Sequence, residues 1–284
     1  CEALPSLMRD RSGFVAIRGS DLDRLAQEDF DAMRLWLQDD GVCLPRKQPL
    51  PHQNEALTAI SAELTSSDRA TIVMACGTGK SLVALWAAEQ RGVRTLLVLL
   101  PSLALVRQLL HEWLRQTSWD ALTFQCVCSD PTVAKDADDL IVHQADLDFP
   151  VTTESSSVRH FLAKPFNGVK VVFSTYQSAH VVAEGLPIDA EGLPISFDLG
   201  VFDEAHKTAG REGRNLCFAL DDANLPIRKR LFFTATPRHY NPHRRSTDGE
   251  AQVVYSMDNI DIYGTHAYTL TFGEAARRKL ICNY

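Results

Sequence analysis

The sequence predicts an α/β fold in which a mostly parallel sheet carries helices on both faces. Short apolar runs typical of buried strands alternate with longer helical patterns from residue 54 to residue 233. Strands that alternate with helices form parallel sheets, because each helix returns the chain to the same end of the sheet. Polar clusters directly follow several of these runs, at the strand ends where ligand crevices lie in such sheets. We therefore expect a ligand site along that edge.

The composition fits a protein with a sizeable core. The chain has 284 residues, of which 45% are hydrophobic, and this suits one large domain or two small ones. Its formal net charge of -7 argues against a broadly basic nucleic-acid binder. No apolar run is long enough to span a membrane, and the N-terminus lacks a signal-peptide core. The seven cysteines include no C-x-x-C pair, which predicts reduced thiols and a cytoplasmic protein.

The chain divides into three predicted parts. Residues 1–45 are predicted to be a helical extension, and residues 241–284 a linker followed by the start of a truncated second domain. Residues 46–240 are predicted to form the main domain, in which the Asp-rich stretch 129–157 is a solvated insertion. The expected helices span 54–64, 82–88 and 103–116, and the expected strands span 71–73, 95–100, 122–127, 169–173, 197–202 and 231–233.

A glycine-rich loop joins the first predicted strand to the helix after it, in the stretch T-I-V-M-A-C-G-T-G-K-S of residues 71–81. Strand, glycine loop and helix in that order are the context of a phosphate-binding loop. The glycines let backbone N–H groups converge on an anion, and the helix N-terminus adds a partial positive charge. Lys80 is placed to reach the β- and γ-phosphates of a nucleotide, and the Ser81 hydroxyl to bind Mg²⁺. Met74 occupies the first glycine position of the strict motif, so a simple turn with an incidental lysine is the alternative.

Two adjacent carboxylates follow the strand predicted at residues 197–202. Asp203 is placed to lie near the Mg²⁺ of a bound nucleotide, and Glu204 to orient or deprotonate the attacking water. The alternative is a pair of solvated acids at the start of a helix, where they would also suit the helix dipole. The glycine loop upstream favours the catalytic interpretation.

His206 follows the acid pair, and no second histidine or cysteine stands at metal-ligand spacing from it. We predict that it makes a hydrogen bond between the acid pair and a neighbouring loop. Thr234 and Thr236, at the end of another predicted strand, are the expected partners.

Taken in order, the motifs of residues 46–240 resemble those of superfamily 2 helicases and translocases. M-A-C-G-T-G-K-S resembles motif I, L-P-S-L-A-L-V-R-Q motif Ia, D-E-A-H motif II and F-T-A-T-P-R motif III, while F-S-T-Y-Q-S is similar to a strand-end motif that contacts nucleic acid. The resemblance implies the first RecA-like motor lobe, a P-loop NTPase domain, of a DEAH-box protein. D-E-A-H-K-T-A-G and F-S-T-Y-Q-S look most like type I, type III and single-polypeptide restriction motors, which implies a restriction or phage-defence system.

The resemblance also implies roles by position, with ATP and Mg²⁺ as cofactors. The implied nucleotide contacts are Gln53, which would read adenine, Gly77, Thr78, Gly79, Lys80 and Ser81. The implied Mg²⁺ ligands are Ser81 and Asp203. The implied catalytic residues are Lys80, Asp203, Glu204 and His206, with Thr234 and Thr236 coupling hydrolysis to movement. The implied nucleic-acid contacts are Pro101, Ser102, Arg107, Thr175 and Tyr176, although a solvated arginine or a packed tyrosine would explain Arg107 and Tyr176 equally well.

The implied partner is nucleic acid, with double-stranded DNA favoured, together with nuclease or methyltransferase domains or subunits. The motifs of a second helicase lobe, which normally supplies an arginine finger, are not found. The chain alone is therefore expected to bind ATP weakly and to hydrolyse it poorly. One alternative is a non-enzymatic nucleic-acid-binding or regulatory module with a vestigial nucleotide pocket. Another is a small-molecule P-loop kinase, which explains the glycine loop but not T-A-T-P or F-S-T-Y-Q-S.

Overall fold

A single eight-stranded sheet organises the chain in the computed structural model, which describes residues 46–128, 149–211, 215–239 and 254–281. Its strands are β1 (Arg69–Met74), β2 (Thr95–Leu100), β3 (Leu122–Val127), β4 (Val151–Thr152), β5 (Val169–Thr175), β6 (Leu199–Phe202), β8 (Arg230–Thr234) and β10 (Thr265–Leu270). They lie in the order β10-β1-β8-β6-β2-β5-β3-β4, and every neighbouring pair is parallel. A separate antiparallel ribbon joins β7 (Gly210–Arg211) to β9 (Val254–Tyr255).

Helices cover both faces of the sheet. They are α1 (Pro51–Ser66), α2 (Lys80–Gln90), α3 (Leu103–Gln116), α4 (Ser155–Ala163), α5 (Ala179–Glu184), α6 (Ile260–Tyr263) and α7 (Phe272–Arg277). Alternate residues of β2 pack into opposite halves of the core, because successive side chains of a strand point to opposite faces. Leu96, Val98 and Leu100 pack with α1, α2 and α3, whereas Leu97 and Leu99 pack with α4 and α5. The predicted α/β fold with a parallel sheet and helices on both faces is confirmed.

Several element boundaries differ from the prediction. Helix α1 begins at Pro51 rather than residue 54, since proline suits the first helical position, where its missing N–H is not needed. Strand β6 begins at Leu199 rather than residue 197, and Phe197 makes only an isolated parallel bridge to Ile227. The predicted solvated insertion is wrong for residues 149–157, which include β4 and the start of α4. The other residues of that stretch and the helical extension at 1–45 lie outside the described residues.

The sheet continues beyond residue 240. Strand β10 pairs in parallel with β1, so Thr265–Leu270 lie in the same sheet as the main domain rather than apart from it. Helix α7 then packs beside α1, where Arg278 donates a hydrogen bond of 2.9 Å to a Glu55 carboxylate oxygen. In the described part of the chain, no helix is both long and apolar enough to cross a membrane.

Gly264 makes the turn into β10 possible, and Gly264→Ala is expected to lower the free energy of unfolding by about 2 kcal/mol or more. Its φ of 70° is left-handed, and an added Cβ would lie 2.1 Å from the backbone oxygen of Arg69. The backbone of β1 cannot yield that space without losing its pairing with β10. Urea denaturation measures the effect, with Gly273→Ala as the control, because an added Cβ there meets nothing within 4 Å. Equal stability of the two variants would contradict the prediction.

Candidate active site

A cavity of about 780 Å³ lies where β1 and β6 end. Its walls are the loop between β1 and α2, the start of α1, one face of α3, the residue after β6, and the segment after α7. The predicted nucleotide and Mg²⁺ contacts all line it, namely Gln53, Gly77, Thr78, Gly79, Lys80, Ser81 and Asp203. The fold therefore brings these residues to one place, as expected from their positions at strand ends.

The start of α1 holds the glycine loop in place. The side chains of His52 and Gln53 are buried, and the Nε2 atom of each lies 3.0 Å from the backbone oxygen of Thr78. The other end of the Gln53 amide accepts a hydrogen bond of 2.8 Å from the backbone N–H of Leu50. Gly79 has a left-handed φ of 83°, and a Cβ there would lie 2.3 Å from Gln53 Nε2, so only glycine fits. In this structure Gln53 thus stabilises the phosphate loop by a hydrogen bond to the backbone of Thr78.

Lys80, Glu204, His206 and Thr234 form a continuous chain of polar contacts. The Lys80 ammonium lies 3.7 Å from Glu204 Oε1, and 3.4 Å from the backbone oxygen of Met74. His206 Nδ1 lies 3.3 Å from Glu204 Oε2 and 3.0 Å from Thr234 Oγ1. The predicted hydrogen bond of His206 to the neighbouring strand end is therefore present, with Thr234 as the partner.

The second predicted threonine, Thr236, is exposed, and its backbone N–H donates a hydrogen bond of 3.2 Å to Thr234 Oγ1. Thr234 itself is fully buried at the end of β8. His206 therefore contacts Thr234, whereas Thr236 contributes to the turn after β8 through its backbone.

The backbone of Glu204 adopts an uncommon conformation, with a left-handed φ of 47°. Such conformations cost energy in residues other than glycine and collect at functional sites. Burial opposes ionisation of Glu204, but the hydrogen bond from His206 and the charge of Lys80 outweigh it and lower its pKa. Glu204 is thus held as a carboxylate between a histidine and a lysine, able to orient or accept a proton from water.

Asp203 has the opposite electrostatic character. Burial, followed by repulsion from Glu204, raises the pKa of Asp203 from its ordinary value of 3.8 to about 6. The backbone of Asp203 is fixed, because its N–H donates to the oxygen of Leu99 and its carbonyl accepts from the Tyr176 hydroxyl at 2.7 Å. A half-buried, partly desolvated carboxylate of this kind is stabilised in its charged form by a divalent cation in the cavity.

The donor atoms at this site fit Mg²⁺. The Ser81 hydroxyl and the Asp203 carboxylate both line the cavity, and Mg²⁺ prefers oxygen ligands. Among the described residues, no group of three or more histidine, cysteine or acidic side chains is placed to hold a metal by itself.

Asp203→Asn is expected to stabilise the protein in the absence of nucleotide and Mg²⁺. The folded pKa exceeds the ordinary value, so the folded state binds more protons between these pH values, and wild-type stability falls as pH rises from about 4 to about 6. Asparagine removes this loss, a gain on the order of 1–3 kcal/mol near neutral pH. Urea denaturation in EDTA at about pH 4 and about pH 8 tests it. A stability difference between variant and wild type that does not grow with pH would contradict it.

The predicted nucleic-acid contacts separate into two groups. Pro101 and Ser102 are half-buried and Arg107 is exposed, so these residues lie at the surface as expected. The side chains of Thr175 and Tyr176 are only 4% and 1% exposed, so they offer little surface to a strand, and their contact with nucleic acid stays a prediction. The Tyr176 ring lies in the core, where it packs against Phe202.

Tyr176, directly after β5, supports the backbone of the acid pair, whereas the Thr175 side chain bonds within its own loop. Tyr176 packs against Phe202 and donates its hydroxyl proton to the carbonyl of Asp203, and burial raises its pKa well above the usual range. Thr175 shares a hydrogen bond of 3.0 Å with Ser178. The tyrosine therefore stays protonated and fixes the backbone that carries both carboxylates.

Glu112 is a site residue that the sequence reasoning missed. It lies on α3 and lines the cavity together with Leu105, Gln108 and Leu109. These residues recur at the three- and four-residue spacing of one helix face. Because α3 begins in motif Ia, this spacing was a sequence signal that the face turns towards the phosphate loop. Lys279 and Leu280, which follow α7, also line the cavity and had no local signal.

Comparisons with known proteins place this site in context. Residues 46–239 match the family described as Type III restriction enzyme, res subunit. The chain is 30% identical over 220 residues to "Probable helicase A859L" of African swine fever virus (strain Badajoz 1971 Vero-adapted), an alignment that covers 76% of this chain and 21% of the viral protein. The corresponding protein of isolate Tick/South Africa/Pretoriuskop Pr4/1996 matches with the same values. The chain thus spans about a fifth of the length of these curated relatives.

Two solved structures are similar in both sequence and fold. One is titled "ATP-dependent Type ISP restriction-modification enzyme LlaBIII bound to DNA", with a TM-score of 0.68, 28% identity, and coverage of 84% of this chain and 16% of that chain. The other is a nuclease-deletion mutant of the Type ISP restriction-modification enzyme LlaGI in complex with a DNA substrate mimic. Its TM-score is 0.62 and its identity 30%, over 82% of this chain and 21% of that chain.

Proposed function

We propose that the chain hydrolyses ATP with Mg²⁺ to move along double-stranded DNA. The chain belongs to the family of type III restriction enzyme res subunits and is the first RecA-like motor lobe of a superfamily 2 helicase. The family supports helicase or translocase activity. The use of ATP, the need for Mg²⁺ and the action on DNA are what we propose in addition. The observation that carries it is the contact chain from Lys80 through Glu204 and His206 to Thr234.

That contact chain links the phosphate loop to a neighbouring strand end. Lys80 holds the terminal phosphate and moves from Glu204 towards it, and the backbone N–H groups of the glycine loop bind the other phosphates. Glu204, released from Lys80 and still bonded to His206, orients the attacking water and accepts its proton. Ser81 and Asp203 would hold Mg²⁺, which would supply neutralisation of the phosphate charge. His206 and Thr234 then transmit the change at Glu204 to the end of β8.

The names of the relatives support our proposals on DNA, on further domains and on a restriction system. Two of them are titled as restriction-modification enzymes bound to DNA or in complex with a DNA substrate mimic, and this chain covers 16% and 21% of their lengths. We therefore propose that a second helicase lobe completes the ATP site. We further propose that nuclease or methyltransferase domains or subunits act with this lobe in a restriction or phage-defence system.

The test is DNA-stimulated ATP hydrolysis by the full-length protein. We expect labelled ATP to bind with Mg²⁺, turnover to rise with double-stranded DNA, and a DNA-bound triplex strand to be displaced during turnover. Binding of ATP without any turnover, with DNA present and both lobes intact, would overturn the proposal. That outcome would favour a non-enzymatic nucleic-acid-binding or regulatory module with a vestigial nucleotide pocket.

A further inference from the structure

A carboxylate from a different element contacts the predicted Mg²⁺ ligand. The Ser81 hydroxyl at the start of α2 donates a hydrogen bond of 2.5 Å to Glu112 Oε2 on α3. Bonds of this length between a hydroxyl and a carboxylate are among the strong hydrogen bonds of proteins. Both residues line the cavity, and the Glu112 side chain is 28% exposed. Glu112 is therefore close enough to act on the metal site without belonging to any of the helicase motifs.

Trp113, the next residue of α3, binds the backbone of the same serine. The Trp113 indole N–H donates a hydrogen bond of 2.9 Å to the backbone oxygen of Ser81, and Trp113 is 1% exposed. Consecutive side chains of α3 thus bind the carbonyl and the hydroxyl of one residue. This fixes both the position of Ser81 and the rotamer of its side chain.

The direction of the hydroxyl proton decides what Ser81 offers to a cation. A hydroxyl carries one proton and two lone pairs, and it can bind a metal only through a lone pair. Because the proton is donated to Glu112, the lone pairs of the Ser81 oxygen remain available to a cation. Acceptors that orient metal ligands in this way also make those ligands better electron donors.

The charge of Glu112 adds a second effect. Its other oxygen, Oε1, lies 3.6 Å from the ammonium of Lys47, whose side chain is 61% exposed. A carboxylate beside the phosphate loop repels a nucleotide without metal and attracts a divalent cation. Glu112 is therefore expected to make nucleotide binding depend more strongly on Mg²⁺.

We propose that Glu112 is a positioning residue for the metal site. It accepts the Ser81 hydroxyl proton, so that the serine oxygen presents its lone pairs to the Mg²⁺ of a bound nucleotide. This inference rests on the proposed function, since it concerns the same nucleotide site. It differs from a purely structural role of α3, which would affect nucleotide binding equally with and without the metal.

The experiment measures labelled ATP binding to the full-length protein as Mg²⁺ is titrated, and again in EDTA. Glu112→Gln replaces the carboxylate with a neutral and weaker acceptor, so we expect the Mg²⁺ concentration for half-maximal binding to rise roughly 10-fold or more. Binding in EDTA should be unchanged or tighter, because a negative charge has been removed. Glu184→Gln is the matched control, since it removes the same charge from an exposed residue at the end of α5.

A double mutant gives a second readout. If Glu112 acts through the serine hydroxyl, Glu112→Gln should change the Mg²⁺ dependence much less in a Ser81→Ala background than in the wild type. An unchanged Mg²⁺ dependence in Glu112→Gln, or an equal loss of binding in Mg²⁺ and in EDTA, would overturn the inference while leaving the proposed function intact. Failure of the wild-type protein to bind ATP with Mg²⁺ would overturn the proposed function instead.

Discussion

Lys80→Ala in the full-length protein is expected to abolish ATP hydrolysis and to weaken ATP binding. The Lys80 side chain is 11% exposed, and its ammonium lies between the acid pair and the phosphate loop. The nucleotide therefore loses the cation nearest to its terminal phosphate, in a site where partial burial makes that charge more effective than it is in water. Loss of one such charge-stabilising group costs about 10²-fold or more in turnover.

Two measurements check this prediction, namely labelled ATP binding in Mg²⁺ and steady-state hydrolysis with DNA. Lys164→Ala is the control, because that lysine is exposed at the end of α4 and lies outside the nucleotide cavity. Hydrolysis by Lys80→Ala within a few-fold of the wild-type rate would show that the phosphate loop does not hold the reacting phosphate.

The parts of the fold that follow local patterns are the parts that the sequence predicts best. The predicted bounds of β2, β3 and α3 match the structure, because continuous apolar runs and helical periodicity are strong local signals. The contact of His206 with Thr234 was also predicted, since both residues lie at or just after the ends of strands of one parallel sheet. Strand ends in such a sheet share an edge, so sequence order alone brings them close.

Features that depend on packing between distant elements were not predicted. Tyr176 follows a strand and looks like a surface residue in the sequence, yet its hydroxyl crosses to the carbonyl of Asp203 on a strand that is not its neighbour. Strand β10 pairs with β1 although nearly the whole domain separates them in sequence. Glu112 enters the site only because α3 turns one face to the cavity. The contacts of Tyr176 and of β10 arise from tertiary arrangement, for which a single sequence has no local signal.

Glu204→Gln is expected to have the opposite effect on binding from Lys80→Ala, although both variants stop hydrolysis. Glutamine keeps the size of the side chain but cannot accept a proton from water, so turnover should fall roughly 10²- to 10⁴-fold. At the same time Lys80 loses the carboxylate that lies 3.7 Å from its ammonium. A lysine without that partner interacts more strongly with a phosphate, so ATP binding should be retained or become tighter.

The contrast between the two variants is what tests the site. A structural defect in the loop or in the acid pair would lower binding in both variants, whereas distinct roles predict opposite changes in affinity with a common loss of turnover. Glu184→Gln serves again as the charge-matched control for Glu204→Gln, and the same labelled ATP and hydrolysis assays apply to all the variants. Turnover by Glu204→Gln close to the wild-type rate would place the proton acceptor on another residue. Asp203, half-buried beside Glu204 with a pKa raised to about 6, would be the next candidate. In that case the hydrogen bond from His206 to Glu204 would serve to hold the lysine rather than to prepare a base, and the contact chain to Thr234 would respond to phosphate binding instead of proton transfer.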